Sequence, residues 1–312
     1  MAEYKSYSDM RRDFYQKYQH KIVPCVGKHD AERKKKLKLA IFGSTTTALL
    51  GFLVLFSIFK YELDGDAGEG AFKLAIFLFV ASYFIWYAIK KEFENKIKVK
   101  IMPTVCSCFE NLRWSECSYG YGQVFMESGV IPNFTSSIYD DIFTGSHRDV
   151  NIEIVDGEFD IGSGKNRRTV FDGVIVKLDM NKEFTSHTII APDTIFHQTP
   201  LEDLRHTVLE DVEFEKKFDV FTNDEVDARY LITPSFMQRL KAMKTAFKAD
   251  KIKCAFYGNL LLVALSTNKD LFSLCSLVKS IDDAQQYFQM YEEIVSIIKL
   301  IDHFKLDQKI GL

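Results

Sequence analysis

The chain has 312 residues and a net charge of −3, long enough for more than one folding unit and neither strongly basic nor strongly acidic as a whole. The charge is uneven, because residues 1–38 hold 11 Lys or Arg against 5 Asp or Glu, which makes that segment +6 and the remainder −9. The basic excess sits against an apolar run and carries no reader motif, so nucleic acid is not expected as a partner.

Residues 1–38 place Tyr4, Tyr7, Met10, Phe14, Tyr15 and Tyr18 at near-helical spacing, which predicts a basic amphipathic helix. Two readings stay open: the helix lies on anionic lipid or a partner, or it docks on the protein's own soluble domain. Leu39–Phe59 then runs for 21 residues without a charge, about the length that crosses a 30 Å hydrocarbon core. Leu74–Ile89 is a second uncharged run of 16, extended by Ala71 and Phe72, with Lys73 able to snorkel. The expectation is a transmembrane hairpin, 39–59 and 72–89, joined by the acidic stretch Lys60–Gly70.

Arg33, Lys34, Lys35 and Lys36 precede the first run, and Lys90 and Lys91 follow the second; by the positive-inside rule both termini are expected in the cytoplasm. Thirty-eight mostly polar residues ahead of the apolar run disfavour a signal peptide. Gly43, Thr47 and Gly51 recur every four residues and form a helix-packing face, for the second helix or for a second copy. No Asp, Glu, Lys, Arg or His lies inside either run, so the usual mark of an ion pathway is missing. The six cysteines, Cys25, Cys106, Cys108, Cys117, Cys254 and Cys275, would all be free thiols in reducing cytosol. Cys106, Cys108 and Cys117 match no zinc spacing and have no His among them, so neither metal nor cofactor is expected.

From Lys90 to about Glu116 the apolar spacing stays helical, with Pro103 expected to kink or break it. Tyr119–Gly145, rich in Gly, Ser, Asn and Asp, reads as loops and short turns. Strands are predicted over 151–155, 170–180 and 188–191, the last closed by Pro192 and Asp193. Gly162-Ser163-Gly164-Lys165 invites a phosphate-loop reading, which fails because Phe159 and Asn166 stand where the motif needs Gly and Ser or Thr. It reads instead as a hairpin loop, and 195–204 as another loop. Further on, 211–214 suggests a turn, 218–221 a strand and 223–230 a short helix. Thr233-Pro234 is a helix start, Gly258-Asn259 a two-residue hairpin turn, and 280–304 a long helix. The helix's apolar stripe, Ala284, Phe288, Tyr291, Val295, Ile298 and Ile301, is expected to cover the sheet.

Leu209-Glu210-Asp211, Glu213-Phe214-Glu215-Lys216, Phe218, Val220, the run Glu225–Leu231 and Thr233–Met237 together resemble bacterial membrane proteins catalogued as domain of unknown function thirty-one thirty-seven. Phe171-Asp172-Gly173, Phe184, Pro192-Asp193, Asp140, Asp141 and Gly145 look like the same family's preceding strands. The resemblance covers most of 92–265 and implies an architecture but no known chemistry.

An active site needs titratable groups that converge, and the candidates are His187, His197, His206, Asp193, Asp211 and Arg229. Of these His197, His206, Asp211 and Arg229 make the weak candidate site. No metalloprotease or nucleophile-elbow pattern accompanies them. Arg229 is expected to pair internally with a carboxylate such as Asp211 or Glu213.

The fold expected is α+β: a basic segment 1–38, a membrane hairpin 39–89, and a cytoplasmic domain 90–312 whose mainly antiparallel sheet is packed by helices. The function expected is a multi-pass anchor in the bacterial inner membrane. It would bind a protein partner or a second copy through the membrane helices or the C-terminal helix, or scaffold there. Two alternatives stand beside it: a membrane-tethered enzyme with a His/carboxylate site, and an accessory subunit of a transport or envelope complex.

Overall fold

Tyr7–Lys17 (α1) continues through one π-helical turn, Tyr18–Ile22, into Val23–Tyr61 (α2). Pro24 explains the wide turn, since its ring would strike the carbonyl four residues back and it has no N–H to give. The Val23 N–H reaches back to the Tyr18 carbonyl instead. This computed structural model describes residues 6–61, 65–109, 111–116, 120, 122–148, 150–180, 183–193, 201–267, 269, 271–272, 276–278 and 284–308, with 303–308 by backbone alone. It divides into two units: Tyr15–Thr104 with Ser273–Tyr287, and Met1–Phe14 with Val105–Phe272 and Phe288–Leu312.

In the first of these units α2 meets Gly65–Cys106 (α3), which runs through Pro103 without ending there. Lys96 Nζ lies 2.6 Å from Glu32, Lys36 Nζ 2.8 Å from Glu92, and Ser82 Oγ donates to the Ser44 carbonyl at 2.7 Å. These pairings rise along one helix as they fall along the other, so the helices are antiparallel. Gly43 and Gly51 line the contact: a methyl group on them would lie 3.2 Å from Ile85 Cγ2 and 3.3 Å from Phe79 Cζ. The Thr47 hydroxyl turns back to its own helix and donates to the Gly43 carbonyl. The opposite faces are apolar and open, with Phe42 71%, Phe59 85% and Phe77 66% exposed.

The other unit is built on a nine-stranded sheet in which every neighbouring pair is antiparallel. Its strands are Arg113–Ser115 (β1), Ser136–His147 (β2), Val150–Ile161 (β3), Arg168–Asp179 (β4), Thr188–Pro192 (β5), Arg205–Thr207 (β6), Phe218–Thr222 (β7), Lys251–Tyr257 (β8) and Leu260–Ser266 (β9). The spatial order is β1-β2-β3-β4-β9-β8-β5-β7-β6. The helices are Gly122–Glu127 (α4), Val212–Glu215 (α5), Glu225–Leu231 (α6), Pro234–Ala246 (α7) and Ala284–Gln308 (α8).

Local chemistry sets many of these boundaries. Thr233 accepts from the Phe236 N–H and so starts α7, with Pro234 in the first turn. Gly258 takes φ +59° in the two-residue turn between β8 and β9. The segment around Gly162–Lys165 is the loop that joins β3 to β4.

Two stretches depart from the sequence reading. Residues 119–145, read as loops and turns, contain α4 and most of the 12-residue β2. Strand β2 is polar by composition and is specified from outside: it pairs with β3 around a bulge between Tyr139 and Asp141, and buried Asp141 accepts from Trp114 Nε1 at 2.6 Å. Of the loop read over 195–204, residues 195–200 lie outside the described ones, and β6 begins directly after it at Arg205.

Each sheet face is covered. On one face Val155, Phe159, Ile175, Ala255 and Leu262 pack with Phe125 of α4 and with Val130, Ile131 and Leu204. On the other, Phe236 of α7 lies against Phe256, and Ile294, Ile297 and Ile298 of α8 share a small cavity wall with Ile152 and Ile154 of β3. The amphipathic segment at the start of the chain docks on the same unit. Met10 and Phe14 are buried, and Phe14 stacks on Tyr291 at 4.7 Å between centroids and meets Phe288 edge-on at 5.3 Å.

Candidate functional site

Of the four candidate residues read from the sequence, the three that the structure describes, His206, Asp211 and Arg229, make separate contacts. His197 lies outside the described residues. His206, on β6, places Nε2 3.3 Å from Asp219 Oδ1 on β7. Asp211 caps α5, accepting from the Glu213 and Phe214 N–H groups at 3.0 Å. Arg229 pairs with Glu225 at 3.7 Å and donates to the Val208 carbonyl at 3.4 Å; neither expected partner, Asp211 nor Glu213, is the one it takes. An i,i+4 pair within one helix is the shorter reach. His187 Nε2 bonds the Ser128 carbonyl, and the Asp193 N–H donates to the Lys217 carbonyl. Among the flanking cations Arg33 is buried, paired with Asp30 at 2.8 Å and bonded to the Leu277 carbonyl. Lys34 also pairs with Asp30, Lys36 with Glu92, Lys90 with Glu94, and Lys91 lies over the Tyr87 ring, while Lys35 is exposed. Among the described residues no group of three His, Cys, Asp or Glu could hold a metal; Cys106 and Cys108 are buried thiols, and Cys117 is not among those described.

The converging polar cluster is elsewhere, around Asp302 of α8. Tyr7 of α1 donates its hydroxyl to one carboxylate oxygen. His147, ending β2, places Nε2 2.9 Å from the other, and Arg148 Nε lies 3.1 Å from it. Arg148 turns into place with φ +48°, a left-handed conformation that costs an L-residue roughly 1–2 kcal/mol. Burial pushes Asp302 upward, but the hydrogen bonds from His147 and Tyr7 and the nearby Arg148 guanidinium outweigh it, so its carboxyl is held below the usual range. Burial, and then the bond to Asp302, pushes the Tyr7 phenol up. The adjoining cavity, walled by Met10, Phe109, Ile152, Ile154, Ile294 and His147 among others, is about 10 Å³, which is room for a single water. The cluster therefore fastens α1, α8 and the β2 end to one another; it has no space for a substrate.

This cluster was missed because Tyr7, His147 and Asp302 are up to 295 residues apart. One local signal was present: Asp302 follows Ile298 by four on an apolar stripe, and a carboxylate on a buried face requires partners.

Residues 169–306 match the model of a family described as "Protein of unknown function (DUF3137)". Residues 169–306 are a DUF3137 region. It starts later than the resemblance read from the residues and extends further, from β4 through most of α8, so it includes Asp302 while Tyr7, His147 and Arg148 lie outside it. No curated protein matches the chain. Among solved structures, the crystal structure of the mycobacterial trehalose monomycolate transport factor A, TtfA, aligns at 12% identity. The alignment covers 61% of this chain and 86% of that one, at a TM-score of 0.34, too low to support an inference.

The DUF3137 region holds a second buried carboxyl, Glu293 of α8. Gln289 Nε2 donates to its Oε1 at 2.9 Å, while Oε2 has no hydrogen-bond partner among the described residues. Burial pushes Glu293 up to about 7, against smaller opposing effects of Gln289 and Lys248.

The two carboxyls give opposite pH dependences. Asp302 is depressed, so its stabilisation is present above the ordinary Asp value of about 3.9 and is lost as pH falls through its folded value. Asp302→Asn is expected to lower stability at pH 7 by about 2 kcal/mol and to flatten the acid limb of a denaturant-midpoint profile. An unchanged acid limb would contradict the assignment. Glu293 is raised, so its contribution is full below about 4.3 and is lost as pH rises through about 7. Glu293→Gln is expected to be more stable than the parent at pH 8.5, by up to about 3 kcal/mol, with the difference shrinking by pH 5. Equal melting curves at both pH values would refute it.

Proposed function

We propose that the chain is a two-span anchor of the bacterial inner membrane that presents an α+β module to the cytoplasm, and that the module acts by binding a protein partner. The observation that carries this reading is the outward apolar surface of α2 and α3. A core helix of a soluble protein buries its apolar residues, whereas Phe42, Leu49, Phe56, Phe77 and Phe84 all point away from the protein. An apolar surface of that extent has no stable place in water, and a bilayer covers it.

The charges suit the same reading. Arg33, Lys34, Lys35 and Lys36 stand before one apolar run and Lys90 and Lys91 after the other, which favours the cytoplasm for both ends. Both helices keep their backbone hydrogen bonds within themselves, as a spanning segment must. Because Gly43 and Gly51 already face α3, the small-residue face is occupied within the chain. Partner binding is favoured over a His/carboxylate enzyme because His206, Asp211 and Arg229 are engaged in separate local contacts.

Single cysteines placed at Asp66 and at Lys269, with the native cysteines replaced, test the topology. An impermeant maleimide is expected to label position 66 only from the periplasmic side and position 269 only after the membrane is opened. Labelling of both from the same side would overturn the proposal.

A further inference from the structure

Five large apolar side chains are exposed among the described residues of 105–272, and four of them fall between positions 208 and 230. They are Val208 at 60%, Val212 at 67%, Val226 at 80% and Tyr230 at 47%; the fifth, Ile138, is on β2. Local geometry gathers the four at one end of the sheet. Val208 directly follows β6, the terminal strand. The Arg229 guanidinium donates to the Val208 carbonyl, and Arg229 shares a face of α6 with Val226 and Tyr230 by helical spacing. Val212 opens α5, which is tied back to the same segment where the Leu209 N–H donates to Glu215 Oε1 at 2.7 Å.

The charge around them is predominantly acidic. Residues 201–230 contain ten Asp or Glu against four Lys or Arg. Glu202, Asp203, Glu210, Glu213, Asp224 and Glu225 are exposed; of the four cations Lys216 and Arg229 are paired with Glu213 and Glu225, and Arg205 and Lys217 are exposed but outnumbered. An apolar centre with an acidic rim is built for a partner of opposite charge. A second copy meeting this surface about a two-fold axis would set acidic rim against acidic rim. An anionic lipid surface would be repelled in the same way.

We propose that Val208, Val212, Val226 and Tyr230 form a docking surface for a basic segment of a different protein, one whose aliphatic or aromatic side chains cover the four residues. The proposal rests on the reading of the module as a partner-binding unit and gives that partner its chemistry.

The test uses the full chain in its native membrane, with the photo-crosslinking residue p-benzoylphenylalanine at Val226, at Tyr230 and, for comparison, at Ile138. The expected result is an adduct from 226 and 230, absent from 138, whose joined peptide is sequenced and carries net positive charge with apolar residues. Its yield should fall about tenfold in the triple variant Glu202→Lys, Asp203→Lys, Glu210→Lys, none of which caps a helix, and in roughly 0.5 M salt, where the Debye length shrinks to a few ångströms. Adducts to lipid, to a second copy or to an acidic or neutral peptide would overturn the proposal, as would no adduct or one indifferent to charge reversal. Failure of the anchor reading looks different: the protein would leave the membrane fraction, whatever Val226 joins to.

Discussion

The seating of Phe14 on α8 is the contact on which the arrangement of the sheet unit depends. Phe14 is fully buried, stacked on Tyr291 and edge-on to Phe288, and it brings the start of the chain against the helix that ends it. Burying a Phe side chain is worth about 1.5–3 kcal/mol, with aromatic pairing adding roughly 0.5–1.5 for each partner. Met10 is buried one helical turn before it, and Phe109 also stacks on Tyr291, at 5.6 Å between centroids. Three segments widely separated in sequence thus share one aromatic cluster.

Polar chemistry makes that apolar seat specific. An aromatic cluster tolerates sliding, but Asp302 accepts from Tyr7 and is approached by His147 and Arg148, groups with fixed directions. A buried carboxylate with one missing donor would be costly, so the register of α1, α8 and β2 is held jointly.

What the sequence revealed and what it concealed follow from the range of the interactions. Thr233 before Pro234, the Gly258-Asn259 turn and the apolar stripe of α8 act within a few residues, and each forms the element its local chemistry demands. The two long helices were legible because each apolar run continues at helical length without Asp, Glu, Lys, Arg or His. Strand β2 was not, because its two Asp, three Ser and one Gly are accommodated by β3, by Trp114 and by a bulge, none of which its own pattern encodes. Two readings of the first segment were open, and docking on the sheet unit is the one Met10 and Phe14 adopt. The Asp302 cluster was hidden by separation alone.

The central claim is that α2 and α3 lie in lipid with their open apolar faces toward the acyl chains. Nitroxide labels at Phe42, Leu49 and Phe56, read by electron paramagnetic resonance in bilayers of the reconstituted full chain, test it most directly. Collisions with oxygen should be greatest at Leu49 and collisions with a water-soluble nickel chelate least there, with Phe42 and Phe56 intermediate. Ready access of the nickel chelate to all three positions would contradict the account.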